Sequence, residues 1–174
     1  MDKYDTFQRR LFAGFIDGLV FIPIYLIDSI SKSLDDTPLI VLGLLISNAS
    51  LYVYSILMHW KYGQTIGKMA MKVRVIDISE TRLLSLKQSF MRDSVYVVFE
   101  TLGLLFVIFH VMKLGHYDKV AMRFDDYYID WFGFIWFILE LVTMMTNDKR
   151  RAIHDFMANS VVINEEYWKR SDVE

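Results

Sequence analysis

Four apolar runs of near-bilayer length, Leu11 to Ile30, Leu39 to Met58, Ser94 to Met112 and Ile129 to Met145, constrain this chain more than any other feature of its sequence. A hydrocarbon core about 30 Å thick is crossed by around 20 helical residues. Inside it every backbone N–H and C=O must be satisfied within the segment. The expectation is an all-α membrane protein, a four-transmembrane-helix bundle with a small cytoplasmic β element, in which the fourth run is the shortest span. Composition agrees, with 54% hydrophobic and 16% aromatic residues and a mean hydropathy of +0.29. Four spans consume about half of the 174 residues, so one domain over 1–174 is expected, with a loop at 61–91 and a tail at 147–174.

The chain has no cysteine, which excludes disulfides, thiolate metal sites and cysteine nucleophiles. Its net charge of −2 argues against nucleic acid as a partner. Met1 to Arg10 is charged, but the apolar stretch behind it carries Asp17 and shows no small-x-small cleavage pattern, so the first helix is read as retained.

Basic residues set the expected orientation. Lys3, Arg9 and Arg10 precede the first span, seven more lie between the second and third, and Lys149, Arg150, Arg151, Lys169 and Arg170 follow the fourth, together 15 of the 19 Lys and Arg. The positive-inside tendency therefore puts both termini and the central loop in the cytoplasm. Trp60, Tyr62, Tyr127, Tyr128 and Trp131 fall at predicted boundaries, where amphipathic rings favour the headgroup layer, although core packing would account for them too. Asp36 and Thr37 can cap a helix that enters at Pro38, closing a tight hairpin between the first two spans.

The central loop carries its own pattern. Lys72 to Asp77 alternates polar and apolar, as Asn159 to Ile163 does more weakly, which predicts two short strands, with Arg82 to Leu86 as a further strand joining them. Gly63 and Gly67 would permit the sharp exit from the second span. Leu83 to Met91 is amphipathic and is expected to lie along the inner surface.

Ionisable residues inside a span are costly and therefore informative. Asp17, Glu100 and Glu140 each lie roughly 10 Å from a predicted inner boundary, by offsets of about 1.5 Å per residue. Sequence offsets thus predict a carboxylate layer formed by three helices. It would serve as a cation or proton site, or as a buried network neutralised by protonation or by Arg10 and Arg92. Gly14 and Gly18 bracket Asp17 as GxxxG and predict close approach of another helix there, with Ser47, Asn48, Ser50 and Ser55 as polar partners. The cluster Asn147 to Asp155, with Arg150, Arg151 and His154, reads either as a headgroup anchor or as a place where Asp155 pairs with Arg10.

Other motifs fail. Gly63 to Lys68 is one residue short of a phosphate loop, and Met69 stands where Ser or Thr is required. His110 and His116 with Asp118 could hold a metal, but solvated side chains are the plainer reading. No nucleophile, base and orienter form a set, so neither an enzyme nor a cofactor is expected.

Taken together, Arg10 to Asp17, Gly63 to Lys68 leading into Val73 to Asp77, Arg92, and Lys149 to Asp155 with Ser160-Val-Val resemble the RDD family of small bacterial membrane proteins. The resemblance spans nearly the whole chain. It implies a multi-pass protein of the bacterial cytoplasmic membrane, and the signature arginine and two aspartates carry over as Arg10, Asp17 and Asp155. Ser160 departs from the threonine expected there, and Glu100 and Glu140 lie outside the pattern. Some members look like cation/proton antiporters, and others are thought to regulate membrane-bound partners.

Small size, the lack of a catalytic set and the long loop favour a binding or regulatory subunit, working with another membrane protein or a second copy of itself. The alternative is an oligomeric antiporter using the intramembrane carboxylates. Orientation has a direct check: cysteines introduced at Ser33 and Ser79 should differ with an impermeant thiol reagent, Ser33→Cys labelling from outside intact cells and Ser79→Cys only after permeabilisation.

Overall fold

A computed structural model describes residues 2–34, 36–116 and 119–171, with side chains described outside 117–130 and 169–171. In chain order the elements are α1 (Phe7–Val20), α2 (Ile22–Ser33), α3 (Thr37–Tyr62), α4 (Ile66–Ala70), β1 (Val73–Asp77), α5 (Leu86–Leu114), α6 (Lys119–Met145), α7 (Ile153–Met157), β2 (Ser160–Asn164) and α8 (Glu165–Ser171).

The first apolar run is two helices, not one. α1 and α2 meet at 47° around Phe21, and Pro23 supplies the cause: it offers no N–H, and its ring crowds the carbonyl of Leu19 four residues earlier. α3 begins as its sequence suggests. The Asp36 carboxylate accepts from Leu39 N–H at 3.1 Å, and Pro38 sits in the first turn. It ends at Gly63 in the left-handed region, φ 67°, where an added Cβ would also lie 2.7 Å from the Val75 carbonyl.

Two helices, α3 and α5, are long and apolar enough to cross a membrane, and a third span results if the bent α1–α2 pair counts as one. The apolar part of α6, Trp131–Met145, is shorter. The described residues thus contain two to three candidate spans where the sequence reading expects four. Outward-facing Phe12, Phe15, Leu102, Phe109 and Phe134 are exposed, as lipid-facing side chains must be. α3 packs along α5 and against α2, and Ile40, Leu44 and Val111 form the core of that contact.

Close backbone approach occurs at other glycines than the GxxxG pair. Nothing lies within 4 Å of a Cβ added at Gly14 or Gly18. At Gly67 that Cβ would stand 2.0 Å from the Ala13 carbonyl, and at Gly43 2.1 Å from Ser31 Oγ. The small residue that matters to α1 is therefore on α4, and α4 lies directly on the α1 backbone.

β1 and β2 pair antiparallel, from Val73 opposite Asn164 to Asp77 opposite Ser160. Both faces of this ribbon are covered. Val73, Val75 and Val162 pack with Leu84 and Met71, while Ile76, Val161 and Ile163 pack with Tyr4, Leu83, Tyr167 and Trp168. Arg82 to Leu86 adds no third strand. A capping box between Ser85 and Gln88 starts α5 at Leu86 instead, and so absorbs the amphipathic stretch to Met91 into the same helix. Arg82 and Gln88 both donate to Asp77 Oδ2, at 2.8 and 2.6 Å.

Glu80 joins three distant segments: its carboxylate accepts from Lys3 and Lys149 ammonium groups and from the Tyr4 hydroxyl. Burial would raise its pKa, but these donors outweigh that and bring it down to about 2. Burial and the same Glu80 push Tyr4 up to about 12.

Gly67→Ala should lower stability by roughly 1–3 kcal/mol through overpacking against Ala13. Gly14→Ala and Gly18→Ala should leave it unchanged or slightly raised, since alanine is the better helix former. Thermal unfolding in detergent micelles, followed by size exclusion, distinguishes the two classes.

Candidate functional site

Asp155 lies in the first turn of α7 with no exposed surface. A carboxylate buried this deeply must be paired and fully hydrogen-bonded, and each of its oxygens is. Oδ2 accepts from the Ala152 N–H at 3.0 Å and from Arg10 at 2.8 Å. Oδ1 accepts from Arg92 Nε at 3.2 Å and from Ser160 Oγ at 3.1 Å, and it lies 3.0 Å from the terminal Arg92 nitrogen as an ion pair. Thus α1, α5, α7 and β2 converge on one side chain. Burial would push its pKa up, but the Arg10 and Arg92 guanidinium groups hold it well below the ordinary carboxylate range.

The two neighbours in the basic cluster act through other atoms. Arg10 donates to the Arg150 carbonyl at 3.1 Å, and the Arg150 side chain points out toward Asp5, 3.9 Å away. Arg151 donates to the carbonyls of Ser160 and Asp155, at 2.9 and 3.0 Å, and lies 4.0 Å over the Phe156 ring.

Two imidazoles surround Arg92. Its guanidinium contacts His154 Nε2 at 2.8 Å and His59 Nε2 at 3.0 Å, and Arg10 reaches the same His154 nitrogen at 3.2 Å. A guanidinium can only donate, so both Nε2 atoms accept and both protons are assigned to Nδ1. His154 Nδ1–H then donates to Glu140, which also accepts from Trp136 at 2.9 Å. His59 Nδ1–H points to Ser55 Oγ at 3.3 Å, and the Ser55 hydroxyl donates to Asp93 at 2.7 Å. Through neutral histidines, one arginine orients two carboxylates on different helices.

These groups line a cavity of about 230 Å³. Arg10 enters from α1, Ser55 and His59 from α3, Lys68 from α4, Arg92, Asp93 and Tyr96 from α5, Glu140 from α6 and His154 from α7, with Leu11, Phe137, Leu141 and Met144 on the apolar side. A second cavity of about 300 Å³ lies farther along the same α3–α5 seam. Tyr25, Asp28, Lys32, Ser47, Asn48, Tyr52 and Glu100 supply its polar wall.

The three carboxylates expected in one layer are therefore separated. Glu140 belongs to the first cavity and Glu100 to the second. Asp17 lines neither: its Oδ1 accepts from Tyr54 OH at 2.9 Å and Gly67 N–H at 2.8 Å, and its Oδ2 accepts from Thr65 Oγ1 at 2.6 Å. Asp17 fastens α4 to α1, a role that helical offsets could not reveal because two of its three partners, Thr65 and Gly67, come from the chain beyond the second span. Of the polar residues offered as its partners, Ser55 serves Asp93, Ser47 and Ser50 bond carbonyls of their own helix, and Asn48 lines the second cavity. His110 and His116 each contact a carbonyl of their own segment, at 3.1 Å. Asp118, the third residue of that metal reading, lies outside the described residues. Among the described residues no three His, Asp or Glu side chains form a metal-binding group.

His59, Lys68, Asp93 and Tyr96 escaped the sequence reading. A signal for three of them exists: Tyr52, Ser55 and His59 recur at helical spacing on α3, as Asp93, Tyr96 and Glu100 do on α5. Each run marks a polar stripe on an otherwise apolar helix.

Long apolar helices with exposed hydrophobic sides, joined at one end around a buried Arg–Asp–Arg cluster, define an integral membrane protein of a small helical class. The chain belongs to the RDD family, whose match covers residues 4–159. No curated protein and no solved structure matches it.

Asp155→Asn should cost about 3–5 kcal/mol, because it leaves Arg10 and Arg92 charged and buried without their counter-ion. Truncating the exposed side chain of Arg150 to alanine should cost less than about 1 kcal/mol. A carboxylate with a depressed folded pKa contributes stability above its unfolded pKa, about 3.9, and loses that contribution as pH falls toward the folded value. Wild-type unfolding temperature should accordingly drop below about pH 4, and a smaller drop is expected in Asp155→Asn; thermal melts from pH 3 to pH 7 measure both.

Proposed function

We propose that this RDD protein is a subunit of an oligomeric exchanger that moves a cation against a proton across the bacterial cytoplasmic membrane. The observation that carries the reading is the sheet-end cavity. Asp93 and Glu140 stand there on two different helices, held by Ser55 and His154, beside the Lys68 ammonium. Carboxylates at membrane depth cost several kcal/mol when unpaired. In a water-accessible cavity they can take either a proton or a cation as the neutralising partner. The second cavity supports the same reading, because Asp28 and Glu100 continue the polar seam, and Asp28 Oδ1 is buried without a hydrogen-bond partner.

Four spans, with Trp131–Met145 as the short fourth, and both termini in the cytoplasm complete the proposal. Support comes from the apolar run of α6 and the distribution of basic residues. The sheet end would then face the cytoplasm. A single chain this small offers little room for two alternating states, so the exchanger is proposed to be at least a dimer. No enzymatic step and no cofactor belong to this scheme.

A second reading, a regulatory subunit docked on another membrane protein, draws on the exposed basic residues Lys61, Lys72, Arg82 and Lys87 at the sheet end. The β ribbon itself offers no free face for docking, since both faces are packed.

Proteoliposomes test the exchanger. An imposed sodium or potassium gradient should drive proton movement reported by an entrapped pH dye, and Asp93→Asn and Glu140→Gln should each lower it at least tenfold. Asp17→Asn, acting on structure alone, should reduce folded yield more than the rate per folded molecule. Absence of flux under every gradient in correctly folded protein would overturn the exchanger and leave the regulatory reading.

A further inference from the structure

We infer that Lys68 is the cavity's own counter-cation, and that loss of its proton admits one monovalent cation to the carboxylates of Asp93 and Glu140. The inference rests on the exchanger reading and deepens it, by naming the group whose proton is exchanged and the charge of the cation that replaces it.

Of the three cationic side chains that line the cavity, Arg10 and Arg92 are committed: they donate to Asp155, to the Nε2 atoms of His59 and His154, and to the Arg150 carbonyl. The Lys68 ammonium makes no ion pair and no side-chain hydrogen bond among the described residues, although its backbone N–H donates to Thr65 Oγ1 at 3.4 Å. Both histidines are neutral by the donor–acceptor argument above. The cluster then holds three positive charges, on Arg10, Arg92 and Lys68, and three negative charges, on Asp155, Asp93 and Glu140. Tyr96 faces the same cavity as a neutral phenol; Asp17, outside the cavity, accepts from three uncharged donors and attracts the Lys68 charge without taking a hydrogen bond from it.

Neutrality therefore depends on the proton of Lys68. When Lys68–NH3+ becomes Lys68–NH2, the proton passes to cavity water and the cluster is left with one uncompensated negative charge. A monovalent cation restores neutrality at the carboxylates, whereas a divalent ion would overshoot it by one. One proton leaves for each cation that enters, and the charge of the loaded cavity is the same in both states.

Position and proton affinity suit the role. α4 is pinned against α1 by the Gly67–Ala13 contact and by Asp17, so the Lys68 stem starts from a fixed base at the cavity rim. Lysine is the residue whose proton affinity falls most readily on burial. Burial, followed by repulsion from Arg92, brings Lys68 down to about 8, close enough to neutral pH for the proton to be exchangeable. An arginine in its place would hold its proton throughout the working range.

The test uses the full chain in detergent, weakly buffered with a pH indicator, with sodium and rubidium tracers as probes. Adding NaCl or RbCl at pH 7 should release close to one proton per bound tracer ion. Release should halve near pH 8 and vanish by pH 10, while choline chloride releases none. Lys68→Gln should bind the tracer with no release and no pH dependence between pH 7 and pH 9. Lys68→Arg should reduce tracer binding at least tenfold at every pH. Proton release that persists in Lys68→Gln, or release in the wild type with a midpoint near pH 4 to 6, would overturn the inference and leave the exchanger with another proton carrier. A wild-type protein that binds neither tracer would overturn the exchanger and this inference together. Since the wild-type release profile alone separates a lysine from a carboxylate or an imidazole, a variant that fails to fold does not suspend the result.

Discussion

Asp155 and the two arginines that clamp it organise everything else at the sheet end of the bundle. A bare carboxylate at that depth would be driven to protonate; between Arg10 and Arg92 it stays ionised, and because its partners come from α1 and α5 it ties the two ends of the chain together. The geometry also extends outward. Once Arg92 is held by Asp155, its remaining N–H groups fall on His59 and His154, and those rings have their protons directed toward Ser55 and Glu140. Orientation passes from one buried charge through two neutral rings to the carboxylates at the cavity wall.

Buried ion pairs are weak evidence for stability, since well-packed apolar residues of the same volume would often hold the helices as firmly. They are good at specifying one arrangement, because the alternatives leave charges unpaired. The clamps at this end share that character: Asp17 takes the N–H of Gly67 and the hydroxyls of Thr65 and Tyr54, and Glu80 gathers Lys3, Tyr4 and Lys149. Each carboxylate joins segments far apart in sequence. The rest of the bundle is held by side chains such as Ile40, Leu44 and Val111, which pack without directional demands.

The proposed function rests on what the clamp leaves over. Arg10 and Arg92 are fully engaged, and so cannot serve as exchangeable cations. Lys68 is the lining cation without an ion pair among the described residues, and Asp93 and Glu140 are the lining carboxylates with which it shares the cavity. In the proposed exchanger, structural charges and exchangeable charges are thus different residues, although all lie within one cluster. The exchanger reading depends on that separation.

Features that follow from local spacing and solvent preference were legible before any fold was known. Bilayer-length apolar runs identify a membrane protein, alternation at Lys72 to Asp77 and Asn159 to Ile163 marks the two strands, Asp36 and Pro38 start α3, and the spread of motifs reveals the family. The sequence also named Arg10, Asp17 and Asp155 as a signature, and placed Asp155 within reach of Arg10 as one of two readings. Local spacing could not tell which groups meet across the chain. Helical offsets put Asp17, Glu100 and Glu140 at one depth, but depth does not specify azimuth, and packing sent the three to different surroundings. Likewise GxxxG marks a small surface without naming what lies on it; the backbone that comes close to α1 belongs to Gly67, in α4 just beyond α3. That Lys68, His59 and Asp93 share a cavity with Glu140 emerged from packing alone, because the bonds that assemble it join α3, α5, α6 and α7 over separations that no periodicity encodes.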